Sequence, residues 1–167
     1  YRRRDELEAA VRDLRRAADI DPGAPRPREL LGDVNYARNR FSPAADHYQA
    51  YVELDDRSPH VLYKLALARY RAGQPTLCEE AVRKSLTIDE SFAEAQYLMG
   101  LCQRDAQKPA DAVASFLRAI ALAPTLIAAR EELADLYGLL GRTESWIAQL
   151  DALRALDPKP ARDISLG

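Results

Sequence analysis

The sequence has little of what chemistry is usually built from. Its 167 residues include two histidines, two cysteines, one methionine and one tryptophan. His47 and His60 stand apart, and neither joins a His/Cys spacing that ligates zinc, so no metal site is expected. Cys78 and Cys102 are too few for a disulfide framework. Both fall on helical positions that should face the core, where free cysteine acts as a small apolar residue. A disulfide between them needs their helices to meet, which spacing alone does not show. There is no glycine-rich phosphate loop and no nucleophile elbow. The carboxylates scatter beside arginines and form no cluster. Neither a catalytic residue nor a cofactor is therefore expected. No apolar run is long enough to span a bilayer, which excludes direct membrane insertion by a helix. Lysine is scarce as well, at Lys64, Lys84, Lys108 and Lys159 only. The formal net charge of −2 comes from mixed signs. It implies no general attraction to nucleic acid or anionic lipid. The run Arg2-Arg3-Arg4 lies beside Asp5, Glu6 and Glu8 and reads as a solvated helix start.

What the sequence does have is a period. Leu31, Leu65, Met99 and Leu133 are 34 residues apart, and so are the small residues Gly32, Ala66, Gly100 and Ala134. A third column reads Ala10, Ala44, Cys78, Ala112 and Trp146. A fourth, bulky and apolar, reads Leu14, Tyr48, Val82, Phe116 and Leu150. A fifth reads Ile20, Leu54, Ile88, Leu122 and Leu156. Asp21-Pro22, Ala123-Pro124 and Asp157-Pro158 close repeats, with Asp56 and Glu90 replacing the proline in the other two. A constant period without insertions marks a solenoid made from one supersecondary unit.

The period and these columns resemble the tetratricopeptide repeat family, whose unit is a helix–turn–helix. The resemblance covers about the whole chain. It implies an all-α, right-handed superhelix of helix pairs. The chain departs from the family where an aromatic often stands three residues after the small residue. Only Tyr137 keeps it, with Asn35, Arg69 and Gln103 in the other repeats.

Residues 1–24 read as the second helix of a truncated repeat, with an amphipathic stripe through Leu7, Val11 and Leu14. Four repeats follow at 25–58, 59–92, 93–126 and 127–160, and residues 161–167 form a tail. In the first repeat, helices are expected from Pro27 to Arg38 and from Pro43 to Leu54, with Ser42 as N-cap. Gly73 and Gly141 mark turns. Pro75 and Pro109 open second helices, where a missing N–H costs nothing. Trp146 is expected to rest against Ala134 and Gly138. A chain opening at Tyr1, in the middle of a repeat, is expected to be a fragment or processed form. Its compartment is left open, with the cytoplasm slightly favoured.

In the family resembled, the first helices line a concave face that holds extended peptides or partner helices. The positions that would face it are Tyr63, Leu67 and Tyr70, then Tyr97, Leu101 and Arg104, and in the first repeat Glu29, Asp33 and Tyr36. His60 and Arg71 add polar contacts. Together they describe a tyrosine–leucine centre, with acidic ends at Glu29, Asp33, Glu131 and Asp135. Exposed tyrosine is a favoured contact residue because it offers area, a polar tip and little entropy to lose. The alternative is that these tyrosines fill gaps between neighbouring first helices. The basic and Asn-rich face with which some members clamp chaperone carboxylate tails is not matched here. Nor is the Asn ladder of the glycosyltransferase members, since Leu30, Lys64, Leu98 and Glu132 occupy its column.

The expected function is a non-enzymatic scaffold that binds a peptide or helix of a partner protein. Two alternatives stay open. One is a docking or regulatory arm of a larger protein. The other is a homo-oligomer formed through the terminal helices.

Overall fold

The structure, a computed structural model, describes residues 2–156, with side chains from Glu8 onward. The Asp157-Pro158 closure, the tail 161–167 and the side chains of Arg2, Arg3, Arg4 and Leu7 lie outside the described residues. Among the described residues there are nine α-helices and no strand. They are α1 (Arg2–Ile20), α2 (Arg26–Ala37), α3 (Phe41–Val52), α4 (Pro59–Arg71), α5 (Pro75–Ile88), α6 (Ala93–Asp105), α7 (Pro109–Leu122), α8 (Ile127–Leu139) and α9 (Thr143–Leu156). Each helix packs on the next. Contact is most extensive within the pairs α4–α5 and α6–α7. The first helices α4 and α6 also touch each other, more closely than the second helices α5 and α7 do. The first helices therefore form the inner side of the array.

The turns inside the pairs share one backbone device. Asn39, Gly73, Gln107 and Gly141 have φ of 57°, 72°, 59° and 69°, and they too are 34 residues apart. In each turn the next residue's N–H reaches back to the last turn of the first helix. These bonds run from Arg40 to Asn35, Gln74 to Arg69, Lys108 to Gln103 and Arg142 to Tyr137, at 2.8–2.9 Å. This is a Schellman closure, in which a left-handed residue satisfies the orphan carbonyls of a helix end. It explains why α3 starts at Phe41, earlier than expected. Arg40 occupies the N-cap with no side-chain bond, so Ser42 does not cap. Pro43 lies in the first helical turn, where the N–H has no intrahelical partner. Pro59, Pro75 and Pro109 each open their helix. Ser58 caps α4 by accepting from the Val61 N–H at 3.3 Å.

The core follows the columns. Leu31, Leu65, Met99 and Leu133 are buried, as are Tyr48, Val82 and Phe116 of the bulky column. The small column permits their approach: a Cβ on Gly32 would lie 2.5 Å from the Tyr48 ring. Burial of each large aliphatic contributes about 1.5–3 kcal/mol, so the helix-pair interfaces hold the array together. At the far end no α9 residue is fully buried. Trp146 lies 3.9 Å from the position of a Cβ on Gly138, and 39% of its surface is exposed. The bulky ring in a small column is thus tolerated where no further helix packs over it among the described residues.

The cysteines require a correction. Cys78 on α5 and Cys102 on α6 are not free; they are joined as a disulfide, with Cα atoms 6.0 Å apart. Both are fully buried. Cys78 takes the small column of a second helix, and Cys102 lies on the following first helix. The packing of α5 on α6 brings them together, which periodicity within either helix does not reveal.

Candidate functional site

The inner face is built from α2, α4, α6 and α8. On α4, Tyr63, Leu67 and Tyr70 are half-buried; on α6, Tyr97 is half-buried and Leu101 is buried. Tyr63 leans on Phe92, with ring centroids 5.0 Å apart, and the exposed His60 also packs against that ring at 5.0 Å. Tyr97 rests against Phe116 at 5.9 Å. Each tyrosine is therefore supported by a neighbour and keeps part of its surface open. Burial, with Glu94, Asp105 and Glu132 respectively nearby, raises the phenol pKa of Tyr63, Tyr70 and Tyr97. All three remain neutral hydrogen-bond donors at physiological pH.

Arg104 ties the centre together. It donates to Tyr70 Oη at 3.3 Å, to Asp105 at 2.8 Å, and to Glu132 of α8. Burial opposes its charge, but the hydrogen bonds to Asp105 and Glu132 outweigh this and raise its pKa further. Arg71 lies 4.6 Å over the Phe41 ring, and Tyr36 meets the same ring edge-on at 5.2 Å.

The end formed by α2 differs electrostatically from the expectation. Glu29 is buried, and Lys64 of α4 donates to it at 2.8 Å and to Asp33 at 2.9 Å. Asp33 also accepts from Tyr48 Oη at 2.7 Å, and Arg26 pairs with Glu29. Burial disfavours the Lys64 charge, but the bonds to Asp33 and Glu29 prevail and raise its pKa. The two acids are thus neutralised within the fold. Glu131 and Asp135 are exposed at the α8 end.

Between α2 and α4 the face dips into a pocket of about 250 Å³ lined by Asp33, Tyr36, Ala37, Tyr48, Lys64 and Leu67. Its lining is mainly apolar, with Lys64 and Asp33 supplying charge. Of the expected residues, the structure brings Asp33, Tyr36 and Leu67 into this pocket. Tyr63, Tyr70, Tyr97, Leu101 and Arg104 lie further along the face. Lys64, Tyr48, Phe41 and Phe92 belong to the site but were not expected there. Phe41 and Tyr48 come from a second helix and Phe92 from a loop, so a stripe followed along one first helix passes over them. Among the described residues, no group of three or more His, Cys, Asp or Glu side chains is placed to hold a metal, and no helix is long and apolar enough to cross a membrane.

Consecutive helical hairpins, a left-handed residue in every intra-pair turn, and small residues facing bulky ones define an α-solenoid of repeated hairpins. The chain belongs to the tetratricopeptide repeat family, whose model matches residues 1–59 and 60–127. Solved structures carry the same fold at low sequence identity. MamA is 18% identical, with a TM-score of 0.89 over 94% of this chain and 92% of that one. YrrB, described as a TPR protein with an unusual peptide-binding site, is 19% identical, with a TM-score of 0.84 over 93% of this chain and 80% of that one. The first TPR of Spaghetti (RPAP3), bound to the HSP90 peptide SRMEEVD, is 20% identical, with a TM-score of 0.68 over 70% of this chain and 93% of that one. No curated protein matches the sequence significantly.

Proposed function

We propose that the protein is a non-catalytic interaction module that binds a peptide segment of a partner protein along its inner face. The pocket between α2 and α4 carries this reading. A concave, mainly apolar recess with a few polar groups is the usual form of an anchor site. Further along the same face are the partly open Tyr63, Tyr70 and Tyr97, which offer contact area on rigid helices. An apolar side chain of the ligand would enter between Tyr36 and Leu67, and its backbone would run over the tyrosines toward Arg104. Two solved relatives of this fold are described with a peptide-binding site or a bound peptide, which supports the general reading. The engagement of Lys64 by Glu29 and Asp33 argues against a carboxylate tail as the ligand at this end.

The test is to select binders from a displayed random-peptide library and map one selected peptide by amide chemical-shift perturbation. The expected peptides share an aromatic or aliphatic anchor and perturb Tyr36, Leu67 and Tyr97. Leu67→Arg, a half-buried position, should abolish binding while helix content is retained. Equal binding by wild type and Leu67→Arg would remove the inner face as the site.

A further inference from the structure

A second cleft lies on the opposite side of α6, between the second helices α5 and α7. Two connected recesses of about 350 and 400 Å³ share Glu90, Gln96 and Arg118. The combined space is in the range of ligand sites. Its floor is polar: Gln96, Gln103 and Ser115 are 6%, 8% and 7% exposed. Buried polar groups are costly unless bonded. Ser115 Oγ donates to Gln103 Oε1 at 2.7 Å, which leaves the Gln103 amide N–H groups free to donate elsewhere. The Gln96 carboxamide forms no hydrogen bond with another described residue, and it borders both recesses. No fully enclosed polar atom lacks a partner among the described residues, so the Gln96 amide must reach the cleft.

Other repeats fill these columns differently. Leu62 stands where Gln96 does and is 1% exposed, and Tyr137 stands where Gln103 does and is 7% exposed. Arg69, in the Gln103 column, is held by Gln49 and the Leu77 carbonyl; Arg130, in the Gln96 column, is held by the Pro124 carbonyl and Gln149. Between α5 and α7, two glutamines on one face of α6 floor the cleft.

We infer that this outer cleft is a second binding site, which takes an extended acidic peptide segment. A carboxamide presents one donor and one acceptor side by side, matching the N–H and C=O of a peptide backbone. Gln96 and Gln103, two helical turns apart on α6, would hold such a backbone along the floor. Met99 lies between them, and Leu86 at the wall, to receive an apolar side chain. At the rim stand Arg83 and Arg118, with Glu90 as the one acid. Arg83 gives one N–H to Glu79 and retains others. A ligand carboxylate fits best at Arg118, where guanidinium–carboxylate pairing is strongest. The cleft has no aromatic lining on which a base would stack, so a nucleic acid fits poorly.

The experiment is an array of short capped peptides in which Asp or Glu alternates with Leu or Val, beside the same peptides with Lys in place of the acids. Wild type should retain acidic peptides and not their lysine counterparts. Gln96→Leu, which installs the residue found at the equivalent buried Leu62, should weaken binding by about tenfold or more. Arg118→Glu should shift preference toward the lysine peptides. Leu67→Arg on the inner face should leave this binding unchanged, which separates this site from the one proposed above. Equal binding by wild type and Gln96→Leu would overturn the inference. So would retention of a single-stranded oligonucleotide in place of the acidic peptides.

Discussion

Gly100 of α6 lies directly against the ring of Phe116 of α7: a Cβ at Gly100 would sit 2.5 Å from Phe116 Cε1. Phe116 is fully buried. Gly32 and Tyr48 repeat the relationship two repeats away, also at 2.5 Å. At the equivalent places in the second repeat stand Ala66 and Val82, a larger small residue facing a smaller bulky one. Gly100→Leu should therefore destabilise the array by about 2–3 kcal/mol, despite about 1 kcal/mol of helix propensity gained. Pairing it with Phe116→Ala should recover part of the loss. Urea unfolding of both single variants and the double variant gives the coupling; purely additive losses would contradict the contact.

Gly73 allows backbone strain to be read in isolation. Its φ is 72°, yet a Cβ there would meet nothing within 4 Å. Gly73→Ala should cost about 1 kcal/mol through the left-handed conformation alone. Gln107, at the equivalent position with φ 59°, should respond in the opposite sense. Gln107→Gly is expected to stabilise by up to about 1 kcal/mol, less the entropy that glycine adds to the unfolded chain. Thermal unfolding of the two variants checks both signs.

Glu79 connects α5 to the turn before α7. It is buried and accepts from Lys108 Nζ at 2.8 Å and from Arg83 at 2.6 Å. The Lys108 hydrogen bond, opposed by burial and helped by Arg83, lowers its pKa from the ordinary 4.5. A carboxylate depressed in the folded state adds stability above its unfolded pKa and loses it as pH falls through the folded value. Glu79→Gln should thus lower stability by about 1–2 kcal/mol near neutral pH. The difference from wild type should shrink steadily as pH falls below 4.5. A difference independent of pH would show that the carboxylate charge is not what stabilises.

The joined Cys78 and Cys102 predict that denatured, unreduced protein reacts with no thiol reagent, and that reduction releases both thiols. The bond closes a short loop across α5 and α6, and such links typically contribute about 2–4 kcal/mol. Reduced protein should unfold at correspondingly lower denaturant. Two thiols titrating before reduction would leave the α5–α6 contact to packing alone.

Much of the fold was legible in the sequence because a repeat states its core several times. Leu65 alone says little, but with Leu31, Met99 and Leu133 at the same interval it marks a buried column. Periodicity is not burial, however. Ile20, Leu54, Ile88 and Leu122 recur as regularly and are exposed by 74%, 44%, 46% and 44%. They sit at helix ends, where the next turn carries the chain away and leaves one side uncovered. Ser42 misled for a related reason: a residue suited to capping was outweighed by the turn at Asn39, which commits the chain to helix two residues sooner.

The sequence by itself determined the number and order of the hairpins, the matching of small to bulky residues, and the turns at Gly73 and Gly141. Each depends on local geometry: 3.6 residues per helical turn, the absence of a Cβ, the missing N–H of proline. The tertiary structure alone decided which side chains from different helices meet. It placed Lys64 between Glu29 and Asp33, which removes the acidity read from those residues one by one. It set Phe92 beneath Tyr63, joined Cys78 to Cys102, and left Gln96 facing a cleft. A helix pattern specifies which face is buried. The angle and separation at which helices pack specify its neighbour, and these depend on all the side chains at the interface together.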